Sequence, residues 1–453
     1  MSGIFKKNDI RGVYPDQLNE EIVEKIGYLF STYLKPQSAI AIAVDSRLSS
    51  NEIRDALVIG LNKGGIITYN LGLGPTPLTY FVATMNENID ASVMITASHN
   101  PKDWNGIKFC DQDGLAYNYE NLFIRFEEEV GTIVLPEKEL DHKLIRDGSL
   151  LAFQYFAYLE NKFTFSSKLK VLIEYGNGSV GRFNQVLAKL GCEVVAFREE
   201  PDGNFPTMIP DPAKEYTFEF IKEKMKDEEF DVAIAFDGDG DRIGFMLSDR
   251  KILSPDKVVM LFSKEIVDRK QTCLTLMDVK MSQASREYIE SVGGSVQLTQ
   301  TGHSWVHKKL IETRADLAAE LSSHYYFEDE YLGFDDGLYT ALRFLQIIDI
   351  SKQRGVSILD VVNQLPIYYS SPEYRVSMSN ERQDRIIKAL KEFTTQHNGR
   401  LITIDGIRGE FENGWFLARK SGTEEALSYR IEGKTESDFE HLKTDVLSII
   451  NGN

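Results

Sequence analysis

The stretch Phe230-Asp-Val-Ala-Ile-Ala-Phe-Asp-Gly-Asp-Gly-Asp-Arg242 decides how the rest of the chain is read. Its first half is a short, almost unbroken apolar run, the pattern of a strand buried on both faces. Its second half alternates carboxylates with glycines, so one tight loop turns several oxygens inward toward a hard, oxygen-preferring cation such as Mg²⁺. Three carboxylates on one loop repel one another unless a cation offsets them, which disfavours an acidic turn that merely caps backbone amides. An EF-hand fails on detail, because its sixth position, glycine, is Arg242 and its twelfth, glutamate, is Ser248. Ligands in open α/β sheets bind beyond the carboxyl ends of strands, and this loop follows one.

The same punctuation recurs outward from this stretch. Ala39 to Val44, Leu169 to Glu174 and Cys273 to Met277 are apolar runs that end in polar or Gly-rich turns. With helix-like segments between them they predict repeated βα units and mainly parallel sheets covered on both faces. The last part changes character: Arg400 to Ile404, Gly414 to Ala418 and Leu427 to Glu432 read as strands and Glu436 to Ile450 as a helix, an α+β arrangement. The expected fold is three similar α/β domains with mixed or parallel sheets plus a C-terminal α+β domain around a central cleft, with boundaries at 1–150, 151–250, 251–367 and 368–453. A hinge is expected near Pro366 to Pro372.

A second loop, Thr96-Ala-Ser-His-Asn-Pro101, follows the apolar run Ala91 to Ile95 and precedes Asn105-Gly-Ile-Lys108. A hydroxyl so placed, Ser98, suits a nucleophile or a phosphate carrier, and Lys108 supplies a cation against phosphate charge. A Ser-His-Asp acyl-transfer triad is discounted: adjacent Ser98 and His99 have awkward mutual geometry, and no G-x-S-x-G elbow surrounds the serine.

The 453 residues allow several domains, and the formal charge of −18 argues against a broad nucleic-acid surface while leaving room for small phosphate ligands gripped by local cations. No run approaches a membrane span, and the start lacks a signal peptide, so the expected location is the cytoplasm, with no membrane partner. Cys110, Cys192 and Cys273 are too scattered for a disulfide or metal framework.

Taken together, Asp9-Ile-Arg-Gly12, Asp45-Ser-Arg47, Thr96 to Pro101, Pro201-Asp-Gly-Asn-Phe-Pro206, Asp237 to Arg242, Thr301-Gly-His-Ser304 and Gly333-Phe-Asp-Asp-Gly337 resemble the α-D-phosphohexomutase superfamily, most closely its bacterial phosphomannomutase/phosphoglucomutase branch. The resemblance implies an isomerase of carbohydrate metabolism that interconverts hexose 1- and 6-phosphates of mannose or glucose. The route is a phosphorylated Ser98 and a hexose 1,6-bisphosphate that serves as intermediate and activator. It also implies Mg²⁺ held by Ser98, Asp237, Asp239 and Asp241. Ala319-Glu-Leu-Ser-Ser-His324 matches the family's sugar-recognition loop, which gives Glu320 and Ser322 to sugar hydroxyls. His324, Lys108, Arg11 and His303 fall at the reacting end, with the general base unassigned among them.

Arg419-Lys-Ser-Gly-Thr423 matches the phosphate-binding loop, so Arg419, Ser421, Gly422 and Thr423 are substrate contacts, as is Lys280. The resemblance thus assigns the serine loop to the first domain, the aspartate loop to the second, the sugar loop to the third and the phosphate grip to the fourth. Ala319 and Ser323 stand where the family's loop has glycine, and Glu425 stands where relatives have proline. Asp335 and Asp336 are expected to cap the following helix rather than to join the site. The implied partner is a phosphosugar, with a monomer expected and a dimer as the alternative. The competing readings are phosphoglucosamine mutase, a catalytically impaired phosphosugar-binding protein and a metal-dependent phosphatase.

Overall fold

The computed structural model describes residues 3–420 and 425–452, and the chain forms two compact units. One comprises Met1–Leu253 and Ser322–Asp360, the other Ser254–Leu321 and Val361–Asn453.

The first unit holds two sheets. The strand Ala39–Val44, buried at every position, lies at the heart of a six-stranded sheet and pairs in parallel with Ile67–Leu73 and Ala91–Ile95. A strand with no polar face needs cover on both sides, which parallel βα crossovers supply. The sheet then turns mixed: Ala91–Ile95 pairs antiparallel with Trp104–Asp111, which pairs antiparallel with Ile10–Val13. Aromatic packing of Phe30, Phe109, Phe123 and Phe126 fills one side of this core, with Phe30 and Phe109 centroids 4.5 Å apart.

The second sheet of this unit has Lys170–Glu174 parallel to Glu193–Phe197 and to Val232–Phe236. Here the expectation of a βα turn after Phe236 is corrected. Ile243–Met246 runs back antiparallel, with Phe236 opposite Ile243, so the aspartate loop is the bend of a β-hairpin. The cause is local: Ile243-Gly-Phe-Met246 is itself a fully buried apolar tetrapeptide, and six loop residues suffice to reverse the chain. The serine loop has the same construction, joining Ala91–Ile95 to Trp104–Asp111. Both loops are therefore held at each end by hydrogen-bonded ladders.

In the second unit, Leu274–Asp278 pairs in parallel with Ser295–Thr299 and Leu317–Ala319. The C-terminal part is an antiparallel sheet in the order Tyr369–Ser370, Ala426–Gly433, Gly414–Lys420, Ile407–Phe411, Arg400–Ile402, with Tyr374–Ser377 also on Ala426–Gly433. Two helices, Asn380–Gln396 and Glu436–Gly452, pack on it, and Ser379 caps the first by accepting from Arg382 N. Among the described residues no helix is long and apolar enough to cross a membrane.

The helices Glu20–Ser31 and Ser50–Lys63 cross closely because glycine sits at the contact on each. A Cβ at Gly27 would fall 2.4 Å from Leu57 O, and one at Gly60 would fall 2.0 Å from Glu24 O. Backbone cannot yield as a flexible side chain does, so Gly60→Ala is expected to destabilise the first unit by about 1–3 kcal/mol. A lower urea midpoint at unchanged slope reads this out, and an unchanged midpoint contradicts it.

Candidate active site

Ser98 and the aspartate loop meet inside the first unit. Ser98 Oγ donates to Asp237 Oδ2 at 2.9 Å and lies 3.1 Å from His99 Nδ1. Ser98 takes φ +50, a left-handed conformation that costs a non-glycine residue energy, and its N–H is anchored on Thr96 Oγ1 at 2.8 Å. The close approach explains Gly238, where a Cβ would come within 2.8 Å of Ser98 O. Lys108, opposite Met94 in the ladder that carries the serine, reaches Asp239 Oδ2 at 2.8 Å and Asp241 Oδ2 at 2.5 Å. Asp239 Oδ2 also accepts from Thr76 Oγ1 at 2.6 Å, and Asp237 Oδ1 accepts from the backbone N–H groups of Gly240 and Arg242.

All three carboxylates are buried, as are Ser98 and Lys108. Burial, reinforced by Asp241 and Asp239, pushes Asp237 well above the usual carboxylate range. Burial acts in the same direction on Asp241, but Lys108, His324 and Arg242 overcome it and hold that carboxyl well below its ordinary value. Burial also opposes the charge on Lys108, yet Asp239 and Asp241 outweigh it and raise the ammonium above its ordinary value. His99 is driven strongly down, first by Arg242 and then by burial, so its imidazole is neutral.

Lys108 and the more distant Arg242, 3.8 Å from Asp237 and 4.0 Å from Asp241, leave three acids short of balance, and the donor set fits a hard cation. One carboxylate oxygen from each of Asp237, Asp239 and Asp241 lies within 4.8 Å of the other two. Asp239 Oδ1 is buried and accepts no hydrogen bond, which is the condition of an oxygen kept for a metal. This centre is a candidate metal site built beside a buried serine hydroxyl.

Other expected residues of the first unit converge here. Arg11 donates to Asp9 and to Asn100 Oδ1 at 2.6 Å, so it lies against the serine loop. His324 Nε2 is 3.2 Å from Arg242 Nε and 3.5 Å from Asp241 Oδ1, while its Nδ1 is 3.0 Å from Ser322 Oγ. The expectation for the acidic pair divides. Asp336 does cap the helix Gly337–Gln353, accepting from Tyr339 N at 2.9 Å. Asp335 instead faces the site, its Oδ2 3.7 Å from His324 Nε2. Sequence alone offered only the alternation rule that adjacent residues point apart.

Glu320, Lys280, His303 and Arg419 belong to the second unit. Glu320 Oε1 accepts from Gly302 N at 2.8 Å, which ties the sugar loop to the start of the helix His303–Thr313. Lys280 Nζ lies 3.7 Å from Glu373 and 3.9 Å from Asp278. Arg419 donates to Thr301 Oγ1 and pairs with Asp405. Glu373 and Asp405, which sequence reasoning did not single out, thus hold two cations expected to contact substrate. Ser421, Gly422 and Thr423 lie outside the described residues.

The two substituted glycines of the sugar loop behave differently. Ala319 ends a strand and needs no special backbone angle. Ser323 has φ +71, where a side chain is strained. Ser323→Gly is therefore expected to raise stability by roughly 1 kcal/mol, with an unchanged or lower thermal midpoint as the contrary result. A hard divalent cation should also raise the midpoint of the wild-type protein, by about 2.7 kcal/mol equivalent at 100 times its Kd. In Asp239→Asn that rise should be largely lost. A wild-type midpoint indifferent to divalent cations would contradict a metal site.

Four models of one family cover the chain: phosphoglucomutase/phosphomannomutase, alpha/beta/alpha domain I over residues 2–123, domain II over 154–250, domain III over 254–368, and the C-terminal domain over 373–449. The chain is 33% identical to a phosphomannomutase/phosphoglucomutase of Pseudomonas aeruginosa over 446 residues, 98% of this chain and 94% of that one. A crystal structure of a phosphoglucomutase/phosphomannomutase family protein from Burkholderia thailandensis matches with a TM-score of 0.88 at 32% identity, covering 99% of this chain and 97% of that one. The Aspergillus fumigatus N-acetylphosphoglucosamine mutase, solved with GlcNAc-6P and magnesium, shares the fold at a TM-score of 0.61 and 14% identity, with 99% of this chain and 95% of that one covered. The chain belongs to the phosphoglucomutase/phosphomannomutase family.

Proposed function

We propose that the protein interconverts hexose 1-phosphate and hexose 6-phosphate, of mannose, glucose or both, with Ser98 as the phosphoryl carrier. The observation that carries this reading is the buried contact of Ser98 Oγ with Asp237, beside Asp239, Asp241 and Lys108. A hydroxyl set among three acids is a poor acyl nucleophile, but it suits a carrier whose phosphate oxygens face a cation.

In the first half-reaction the Oγ–P bond of phosphoserine 98 breaks as a free sugar hydroxyl forms its own O–P bond, giving the 1,6-bisphosphate. The sugar turns, the other O–P bond breaks, and the phosphoryl group returns to Ser98, so the enzyme is unchanged. Phosphoryl transfer demands alignment and charge neutralisation more than covalent chemistry. Lys108 and Arg11 supply fixed cations at the serine loop. The attacking hydroxyl loses its proton to a base drawn from His324 and His303. Glu320 and Ser322 hold sugar hydroxyls. Arg419, Ser421, Gly422 and Thr423 grip the phosphate that does not react, and Lys280 contacts the substrate.

Magnesium, held by Asp237, Asp239, Asp241 and the Ser98 phosphate, supplies neutralisation of the transferring group when bound. The division at 1–150, 151–250, 251–367 and 368–453 gives each loop its own domain. Work on sugar phosphates in the cytoplasm, as a monomer, completes the reading, and the three free cysteines support that location.

The test is a mutase assay with mannose 1-phosphate and glucose 1-phosphate, Mg²⁺ and a trace of glucose 1,6-bisphosphate. Wild type should isomerise at least one sugar, and Ser98→Ala should lose more than about 10³-fold in kcat because the covalent carrier is gone. Inactivity of the folded, phosphorylated wild type on both sugars overturns the assignment. Turnover of glucosamine phosphate alone, or release of inorganic phosphate without isomerisation, would replace it with a different activity.

A further inference from the structure

Two sequence motifs, Asp45-Ser-Arg47 and Pro201-Asp-Gly-Asn-Phe-Pro206, take no part in the chemistry above, yet they meet directly behind the serine. The Arg47 side chain is fully buried, and all five of its N–H donors are used. Nε donates to Asp45 Oδ2 at 3.0 Å. Nη2 donates to the carbonyls of Ser98 at 2.8 Å and Asn100 at 2.7 Å, and Nη1 to those of Pro101 at 2.6 Å and Trp104 at 2.9 Å. Three carbonyls of the serine loop and that of Trp104, where the next strand begins, thus converge on a single planar cation. Asp45 is locked in turn, its Oδ1 accepting from Arg47 N at 3.0 Å and Ser50 Oγ at 2.6 Å.

The second motif closes the outer side. The Phe205 ring centroid lies 5.3 Å from the Arg47 guanidinium carbon. Gly203 passes so near that a Cβ there would meet Ser46 O at 2.4 Å and Leu48 N at 2.6 Å. Water is thereby kept from the guanidinium, whose hydrogen bonds gain strength in that surrounding.

We propose that Arg47, seated by Asp45 and covered by Phe205, is the positioning residue that holds Ser98 in its left-handed conformation and aims Oγ at the acceptor. This rests on the reading of Ser98 as the phosphoryl carrier. Ser98 at φ +50 does not keep that conformation by its own preference, and its carbonyl, the atom next to the strained torsions, is one of those Arg47 grips. An ammonium has three rotating donors and no plane, so lysine retains the charge and loses the convergent geometry.

The experiment compares wild type, Arg47→Lys, Phe205→Leu and Ser98→Ala in steady-state turnover, thermal unfolding and single-turnover transfer from phosphorylated enzyme to hexose phosphate. A misplacement of about 1 Å costs on the order of 10²-fold, so Arg47→Lys should lose about that in kcat and in the transfer rate, with KM within about threefold. Phe205→Leu should lose several-fold in kcat, and that loss should vanish when it is combined with Arg47→Lys, since both act through one guanidinium. A folded Arg47→Lys within threefold of wild-type kcat overturns the proposal. If Arg47→Lys does not fold, an unchanged kcat in Phe205→Leu overturns it. An active Ser98→Ala instead removes the carrier reading beneath it, so the two failures are distinct.

Discussion

Three buried carboxylates beside one serine hydroxyl set the terms for the rest of the first unit. Mutual repulsion without water is expensive, and Lys108 relieves it only in part: it binds Asp239 and Asp241 while burial and those neighbours still push Asp237 upward. A folded chain keeps such an arrangement when something else offsets it, and a hard cation at the open oxygen of Asp239 would do so. The aspartate loop is thus built for a charged occupant.

Rigidity around that charge comes from hairpins. Both loops are bends between antiparallel strands, so their ends are fixed by ladders on each side, with Met94 opposite Lys108 and Phe236 opposite Ile243. A loop after a parallel strand is tied at one end only by such a ladder. Sites that must place reacting atoms closely gain from regular elements as supports. The Ser98 loop adds a cation that collects its carbonyls, and the aspartate loop adds backbone amides that collect Asp237.

Much of this was legible in the sequence, and the failures have physical reasons. Apolar runs ending in polar loops located Ser98 and Asp237 to Asp241, because burial on both faces leaves an unmistakable composition. The hairpin after Phe236 was not read, since Ile243 to Met246 is too short to tell a returning strand from the start of a helix. The helix Asn380–Gln396 went unnamed although Ser379 and an amphipathic pattern mark it. The role of Asp335 was hidden by its neighbour Asp336, which does cap. Arg47 was noted as part of a motif, but its acceptors are carbonyls more than fifty positions away, and backbone acceptors carry no side-chain signature.

The most direct measurement follows the phosphoryl group itself. Enzyme labelled with ³²P on Ser98 is mixed, in single turnover, with unlabelled glucose 6-phosphate or mannose 6-phosphate in the presence of Mg²⁺. The account predicts that label leaves the protein for the sugar as a 1,6-bisphosphate and then appears in hexose monophosphate, with little inorganic phosphate. Label that stays on the protein, or departs as inorganic phosphate, would contradict it.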